Sequence, residues 1–248
     1  MKKLALLLLF SFILFGCAGS LDTSNMSPED RLAHAMKLYN DESYEDAIKE
    51  FEPLVMQFPG HAIVDQAQYY LGMSRFNRKE YILAAYEFSK LINNMAASKL
   101  LPDAQFMLGE CYYQLSPDFS LDQKYTKKSI QEFQSFVDFF PNHERTKTAE
   151  AKISELNDKL AYKEYNSAYI YERLEYYNAA LYYYNNVVET YHDSKYASLA
   201  LFNRINILVM KSRNAEALKE IAKYMDRYPD TADYPKVAEI KKSLEKAG

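Results

Sequence analysis

Five times along this chain a small residue is followed four positions later by a bulky one, and then by a pair that closes a helix. The sets are Ala47, Phe51 and Phe58-Pro59; Ala84, Phe88 and Met95-Ala96; Ser129, Phe133 and Phe140-Pro141; Ala180, Tyr184 and Tyr191-His192; and Ala217, Ile221 and Tyr228-Pro229. Residues four apart share one face of a helix, so each set marks one helix with a small-plus-large seam. A second marker lies upstream of two of these helices. Ala67-Gln68-Tyr69-Tyr70-Leu71-Gly72 and Ala104-Gln105-Phe106-Met107-Leu108-Gly109 are near copies 37 residues apart, and each opens the partner of a seam helix. The unit is therefore helix, turn, helix, with small residues where two helices cross and a large one filling the space beside them.

This grammar resembles that of tetratricopeptide (TPR) units, which run to about 34 residues. The expected fold is all-α: a solenoid of five TPR-like helix-turn-helix repeats in two lobes joined by a long helix. Repeat one covers Pro28 to Asn40 and Ser43 to Phe58, with Ser27 as cap and Pro53 expected to kink the second helix. Repeat two covers Ile63 to Asn77 and Glu80 to Asn94, and its ending lacks the usual Pro, which predicts a soft boundary. Repeat three opens near Pro102, but its second helix arrives eight residues late, so QLSPDFSLDQK forms an extended loop between Tyr113 and Tyr125.

From Thr146 to Leu174 no Gly or Pro interrupts the pattern, which predicts a helix near 29 residues acting as a rigid strut. Repeat four continues from Asn178 to Tyr191, and repeat five covers Tyr196 to Ser212 and Asn214 to Tyr228. Ala232 to Lys246 reads as a capping helix with a polar outer face. Domain limits follow: residues 28–145 for the first lobe and 146–248 for the second.

The first residues belong to a different kind of segment. Lys2 and Lys3 precede an apolar run from Leu4 to Leu14, broken only by Ser11, which is too short to span a bilayer but suits a signal peptide over residues 1–16. Leu14-Phe15-Gly16-Cys17 resembles a bacterial lipobox, and the resemblance implies cleavage before Cys17, acylation of its thiol and anchoring of the mature chain by the lipid. Ala18 after the Cys implies, by the same analogy, sorting to the outer membrane. Residues 17–27 then read as a flexible tether of small polar residues.

Chemistry leaves no local signature. His34, His61, His143 and His192 are scattered without metal-ligand spacing, and six glycines build no phosphate loop. No enzyme activity, metal or cofactor is expected beyond the lipid on Cys17. Without Lys2 and Lys3 the net charge falls from −4 to −6, against a nucleic-acid surface. Cys111 lies within a helix pattern and reads as a small core residue.

Tyrosine is the unusual component. Eleven fall between Tyr162 and Tyr196, too many for one buried face, and they read either as core filler with wet hydroxyls or as a protein-binding surface. Tyr171, Tyr176, Tyr177 and Tyr182 are the candidates for the second role. In the first lobe the opening helices should face the concave side, which nominates Tyr39, Tyr69, Phe76, Phe106 and Tyr113 as a groove for an extended apolar peptide. Some of these should pack between repeats instead.

With these features placed, the chain resembles the outer membrane protein assembly factor BamD family. The lipobox, the five units, the long helix and above all Cys111 to His143, with Ser-Pro-Asp-x-x-Leu-Asp-Gln ahead of Phe-x-x-Phe-Val, carry the resemblance, as does Tyr171-x5-Tyr177-x-Ala179-Ala180. Leu174 stands where many members carry Arg. The resemblance implies a non-enzymatic lipoprotein on the periplasmic face of the outer membrane. Its expected partners are unfolded barrel substrates at the first units, the POTRA region of a BamA-like barrel protein at the last ones, and other subunits of the assembly complex. A TPR lipoprotein organising cell-wall enzymes is the alternative, and it would lack the Leu-Asp-Gln insertion.

Overall fold

The structure is a computed structural model and describes residues 25–247. The expected signal peptide, Cys17 and the tether as far as residue 24 lie outside the described residues.

Eleven α-helices and no strands make up the described residues. Helix α1 (Pro28–Asn40) and α2 (Tyr44–Gln57) form the first hairpin, α3 (Val64–Asn77) and α4 (Tyr81–Asn94) the second, and α5 (Leu101–Leu115) and α6 (Lys124–Phe139) the third. The 28-residue α7 (Thr146–Arg173) is followed by α8 (Tyr177–Thr190), α9 (Ala197–Met210), α10 (Asn214–Arg227) and α11 (Tyr234–Ala247). Each helix packs mainly on its neighbours in sequence, as stacked hairpins must.

The small-plus-large seam works through close approach. Gly72 of α3 faces Phe88 of α4, Gly109 of α5 faces Phe133 of α6, and both rings are fully buried. The same register puts Ala35 opposite Phe51 and Ala168 opposite Tyr184, all four fully buried. In the last hairpin that register pairs Ile205 with Ile221, so the volume is shared equally instead of being given to one side.

The glutamine of the repeated Ala-Gln motif clamps the hairpin from within. Gln68 Nε2 donates to the Glu87 carbonyl at 3.1 Å and to Glu87 Oε2 at 2.8 Å. Gln105 repeats this on Glu132 at 3.1 and 2.9 Å. In the first hairpin Arg31 takes the glutamine's place, donating from Nε to Glu50 at 2.8 Å.

The joints between hairpins share one backbone shape. Phe58, Met95, Phe140, Tyr191 and Tyr228 each end a helix with φ between −122° and −130° and ψ between 44° and 55°, the amide reaching back four residues. The boundary at Met95 is thus as sharp as the others without a proline, because the backbone bonds Met95 N to Leu91 O and Ser98 N to Met95 O, both 2.9 Å, do the work. Within hairpins one, two, four and five, the turn passes through a left-handed residue: Glu42, Lys79, Glu175 and Ser212. Each sits in a C-terminal cap closed by a six-residue hydrogen bond, such as Tyr176 N to Tyr171 O at 2.9 Å.

Two expectations need amending, and a third concerns Pro53. Helix α2 does continue through Pro53 to Gln57, with Phe51 and Leu54 buried on either side of the missing amide, which leaves the expected kink as it stood. The long helix is more than a strut. Ala149 and Ile153 join the core of hairpins two and three, whereas Ala161, Tyr165 and Ala168 join the core of the later helices, so α7 is the opening helix of the fourth unit as well. The inserted loop of residues 116–123 is not merely extended, since Gln123 is buried and holds it from inside. Gln123 Nε2 donates to Asp118 O at 2.7 Å and Leu121 O at 3.0 Å, and its Oε1 accepts from Thr126 Oγ1 at 2.7 Å.

Candidate protein-docking surfaces

The aromatic strip proposed for the first lobe divides in two. Tyr69 and Phe106 are buried, at 9% and 7% exposure, and line no groove. Tyr69 packs on Phe88 with centroids 5.7 Å apart, and Phe106 packs on Phe133 and Phe136 at 5.4 Å with the Arg145 guanidinium over its face at 5.2 Å. The reason is geometric: an opening helix has a neighbour on each flank. In Tyr69-Tyr70 the first ring meets its own hairpin partner and the second turns back to Phe51 and Tyr39 of the preceding unit.

Tyr39, Phe76 and Tyr113 are half-buried, each with a partner already. Tyr39 meets Tyr70 edge-on at 5.0 Å and accepts from Asn77 Nδ2 at 3.3 Å. Phe76 meets Tyr81 at 5.2 Å. Tyr113 donates to the Glu155 carboxylate at 2.8 Å, under the Lys152 ammonium 3.7 Å from its ring, so it ties α5 to α7. Burial, with Glu155 adding to it, pushes the Tyr113 hydroxyl up to about 12.

The second lobe sorts its tyrosines more sharply. Tyr184 is fully buried, donates to Glu172 at 2.6 Å and accepts from Asn203 Nδ2 at 3.1 Å, while the same Asn203 amide reaches Tyr165 at 3.0 Å. These are core residues with satisfied hydroxyls. Tyr176 and Tyr182 lie at the other extreme, 62% and 63% exposed. Between them Tyr171 stacks on Tyr183 at 5.3 Å with planes 11° apart, and Tyr177 carries the Lys211 ammonium 3.8 Å above its ring. Tyr171, Tyr176 and Tyr177 line a groove of about 680 Å³ together with Leu181, Lys211 and Arg213. Tyr169 and Ile170 on the last turn of α7, and Leu174 just after it, are also exposed. The structure thus brings three of the four candidate tyrosines to one concavity and leaves Tyr182 outside it.

One exposed surface lies outside the expected groove and the tyrosine-rich lobe. Ile82, Leu83 and Tyr86 on α4 are all exposed, and Lys90 sits 4.4 Å from the Tyr86 ring. Laying hairpin two over hairpin one puts them at the positions of Glu45, Asp46 and Lys49, an apolar-for-charged exchange that was visible in the repeat itself.

Ionisable groups are spent on structure. Arg75, half-buried, reaches Glu52, Glu80 at 3.3 Å and Glu87 at 3.7 Å, stitching hairpins one and two. No cluster of three or more potential metal ligands occurs among the described residues. Cys111 is buried, and burial raises its thiol well above the usual range. Among the described residues no helix is long and apolar enough to cross a membrane. What the surfaces offer is exposed aromatic and aliphatic area.

The chain was compared with known proteins. The family model described as "YfiO: Outer membrane lipoprotein" matches residues 24–223. The chain is 27% identical over 240 residues to the outer membrane protein assembly factor BamD of Rickettsia prowazekii, covering 94% of each chain. It is 26% identical over 214 residues to the putative outer membrane protein assembly factor BamD of Aquifex aeolicus, covering 84% of this chain and 69% of that one. Among solved structures, the yeast Sti1 TPR2AB-domain:pHSP90 complex is 14% identical, with a TM-score of 0.43 over 89% of this chain and 83% of that one. With most of its length matched to one family model, this chain belongs to the YfiO family of outer membrane lipoproteins.

Proposed function

We propose that the protein is a non-enzymatic scaffold of the machinery that inserts β-barrel proteins into the outer membrane, moored on the periplasmic face by acyl chains on Cys17. The observation that carries this reading is the extent of the match to a relative named as an outer membrane protein assembly factor, 94% of both chains. The exposed aromatics of the second lobe support it, since rigid rings with polar tips are favoured anchors at protein interfaces. In this reading Tyr171, Tyr176, Tyr177 and Tyr182 hold the POTRA region of a BamA-like barrel protein. Unfolded barrel substrates meet the first lobe, where Tyr39 and Phe76 keep part of their rings in solvent. Accessory subunits of the complex complete the assembly.

Crosslinking of intact membranes followed by mass spectrometry tests it. Crosslinks from the second lobe to a POTRA-bearing barrel protein, and from the first lobe to barrel substrates, are expected. Capture of peptidoglycan hydrolases with no barrel protein would overturn the reading. Cys17→Ser is expected to move the chain from the membrane to the soluble fraction, and retention with acylated proteins would refute the lipid anchor.

A further inference from the structure

We infer that the eight-residue insertion between α5 and α6 is a strap that fixes the angle between the two lobes. The apolar cluster that α7 shares with hairpins two and three reaches Ala149 and Ile153, and the cluster it shares with the later helices begins at Ala161. Leu156 and Leu160 are buried between them. Apart from the loop, the first lobe's hold on α7 runs to Glu155, where Tyr113 donates to the carboxylate at 2.8 Å, and small interfaces leave relative domain motion as the default.

The loop extends the hold. Lys159 Nζ donates to Ser116 Oγ at 2.9 Å and to the Pro117 carbonyl at 3.3 Å. One turn further, Lys163 Nζ donates to the Leu121 carbonyl at 2.6 Å. Both amines thus donate to oxygens of the loop. Between them the Phe119 ring meets Tyr162 edge-on at 4.5 Å. From Glu155 to Lys163 this adds eight residues of contact, about 12 Å of helix.

The contact also passes into the second lobe. Tyr162 packs against Tyr196 at 5.1 Å, Tyr196 against Tyr165 at 5.7 Å, and Lys195 N donates to Asp158 Oδ1 at 3.1 Å. Phe119, Tyr162 and Tyr196 thus form a chain of rings from a first-lobe loop, through the connecting helix, to the turn that opens α9. A strap needs stiffness of its own, and Gln123 supplies it from inside, with Asp118 Oδ1 accepting from Ser120 N at 2.9 Å and Ser120 Oγ at 2.7 Å. Asp118 is held below the usual carboxylate range by those two bonds.

The test is a distance distribution between spin labels at Met56→Cys and Tyr182→Cys, both exposed and one in each lobe, in the full chain with Cys17→Ser and Cys111→Ala. The parent should give a narrow distribution, and Phe119→Ala with Lys163→Ala should broaden it by about twofold or more, as expected for released lobes. Leu121→Ala is the control: it removes an exposed side chain but keeps the carbonyl that Lys163 binds, and should leave the width unchanged. An unchanged width in the double variant, with helical circular dichroism retained, overturns the proposal. If the double variant loses its helical signal, Lys163→Ala alone, which removes a single amine, decides on the same reading.

Discussion

A Cβ built on Gly72 would lie 2.8 Å from Cε1 of Phe88, and one built on Gly109 would lie 2.7 Å from Phe133 Cδ1. Both distances are closer than carbon atoms pack, and both rings are fully buried. Each hairpin closes on a glycine because the second helix has given the volume to its aromatic.

Gly72→Ala and Gly109→Ala should therefore each lower stability by about 1–2 kcal/mol, the overpacking cost exceeding the gain in helix propensity. The neighbouring hairpins carry Ala35 and Ala168 in the same register, so the fold itself should survive. Urea unfolding followed by circular dichroism measures the change; a rise in midpoint for either variant would contradict the close-approach account.

The left-handed turn residues predict the opposite sign. Lys79 and Glu175 hold φ of 63° and 62°, a region that costs an L-residue about 1–2 kcal/mol. Lys79→Gly and Glu175→Gly relieve that cost against the greater freedom of glycine in the unfolded chain. A net stabilisation of about 0.5–1 kcal/mol each is expected in the same assay.

Alkaline pH should loosen the stack. Burial pushes the Tyr69 hydroxyl up to about 12, with Asp103 adding to it, and Tyr113 reaches the same value. Tyr184 is raised further by burial and by Glu172. The folded state holds these protons more tightly than the unfolded chain, whose tyrosines titrate near 10. Their contribution is complete below pH 10 and is lost as pH rises through 12. Tyr69→Phe removes one such group without breaking a side-chain hydrogen bond, so unfolding midpoints measured from pH 9 to 12 should fall less steeply than in the parent.

Tyr176→Ala with Tyr182→Ala removes two exposed rings and should change stability by less than about 0.5 kcal/mol. Recovery of the barrel partner in pull-downs from solubilised membranes should drop about tenfold or more, as for interface anchors. Undiminished recovery would place the partner elsewhere on the chain.

The helices and their limits were legible because each hairpin restates the same spacing; α7 and the insertion appeared as departures from it, to within a residue or two. The left-handed turns were not legible, since Glu, Lys and Ser hold them where Gly would have signalled them. Tyr69 and Phe106 were misplaced because position on an opening helix does not say which flanking hairpin claims the ring. Tyr184 was marked for the core by its place four residues after Ala180, but the partners of its hydroxyl, Glu172 and Asn203, lie on other helices and leave no trace in that spacing. The apolar face at Ile82, Leu83 and Tyr86 is legible in the comparison of hairpin two with hairpin one.

The joints after Phe58, Met95, Phe140, Tyr191 and Tyr228 share one backbone shape while their residues differ. A chain jointed this way can be lengthened or shortened by whole hairpins with no new conformation demanded at the splice. Only the side chains meeting across the fresh seam have to be refitted, which leaves the number of units open to change by simple duplication or loss.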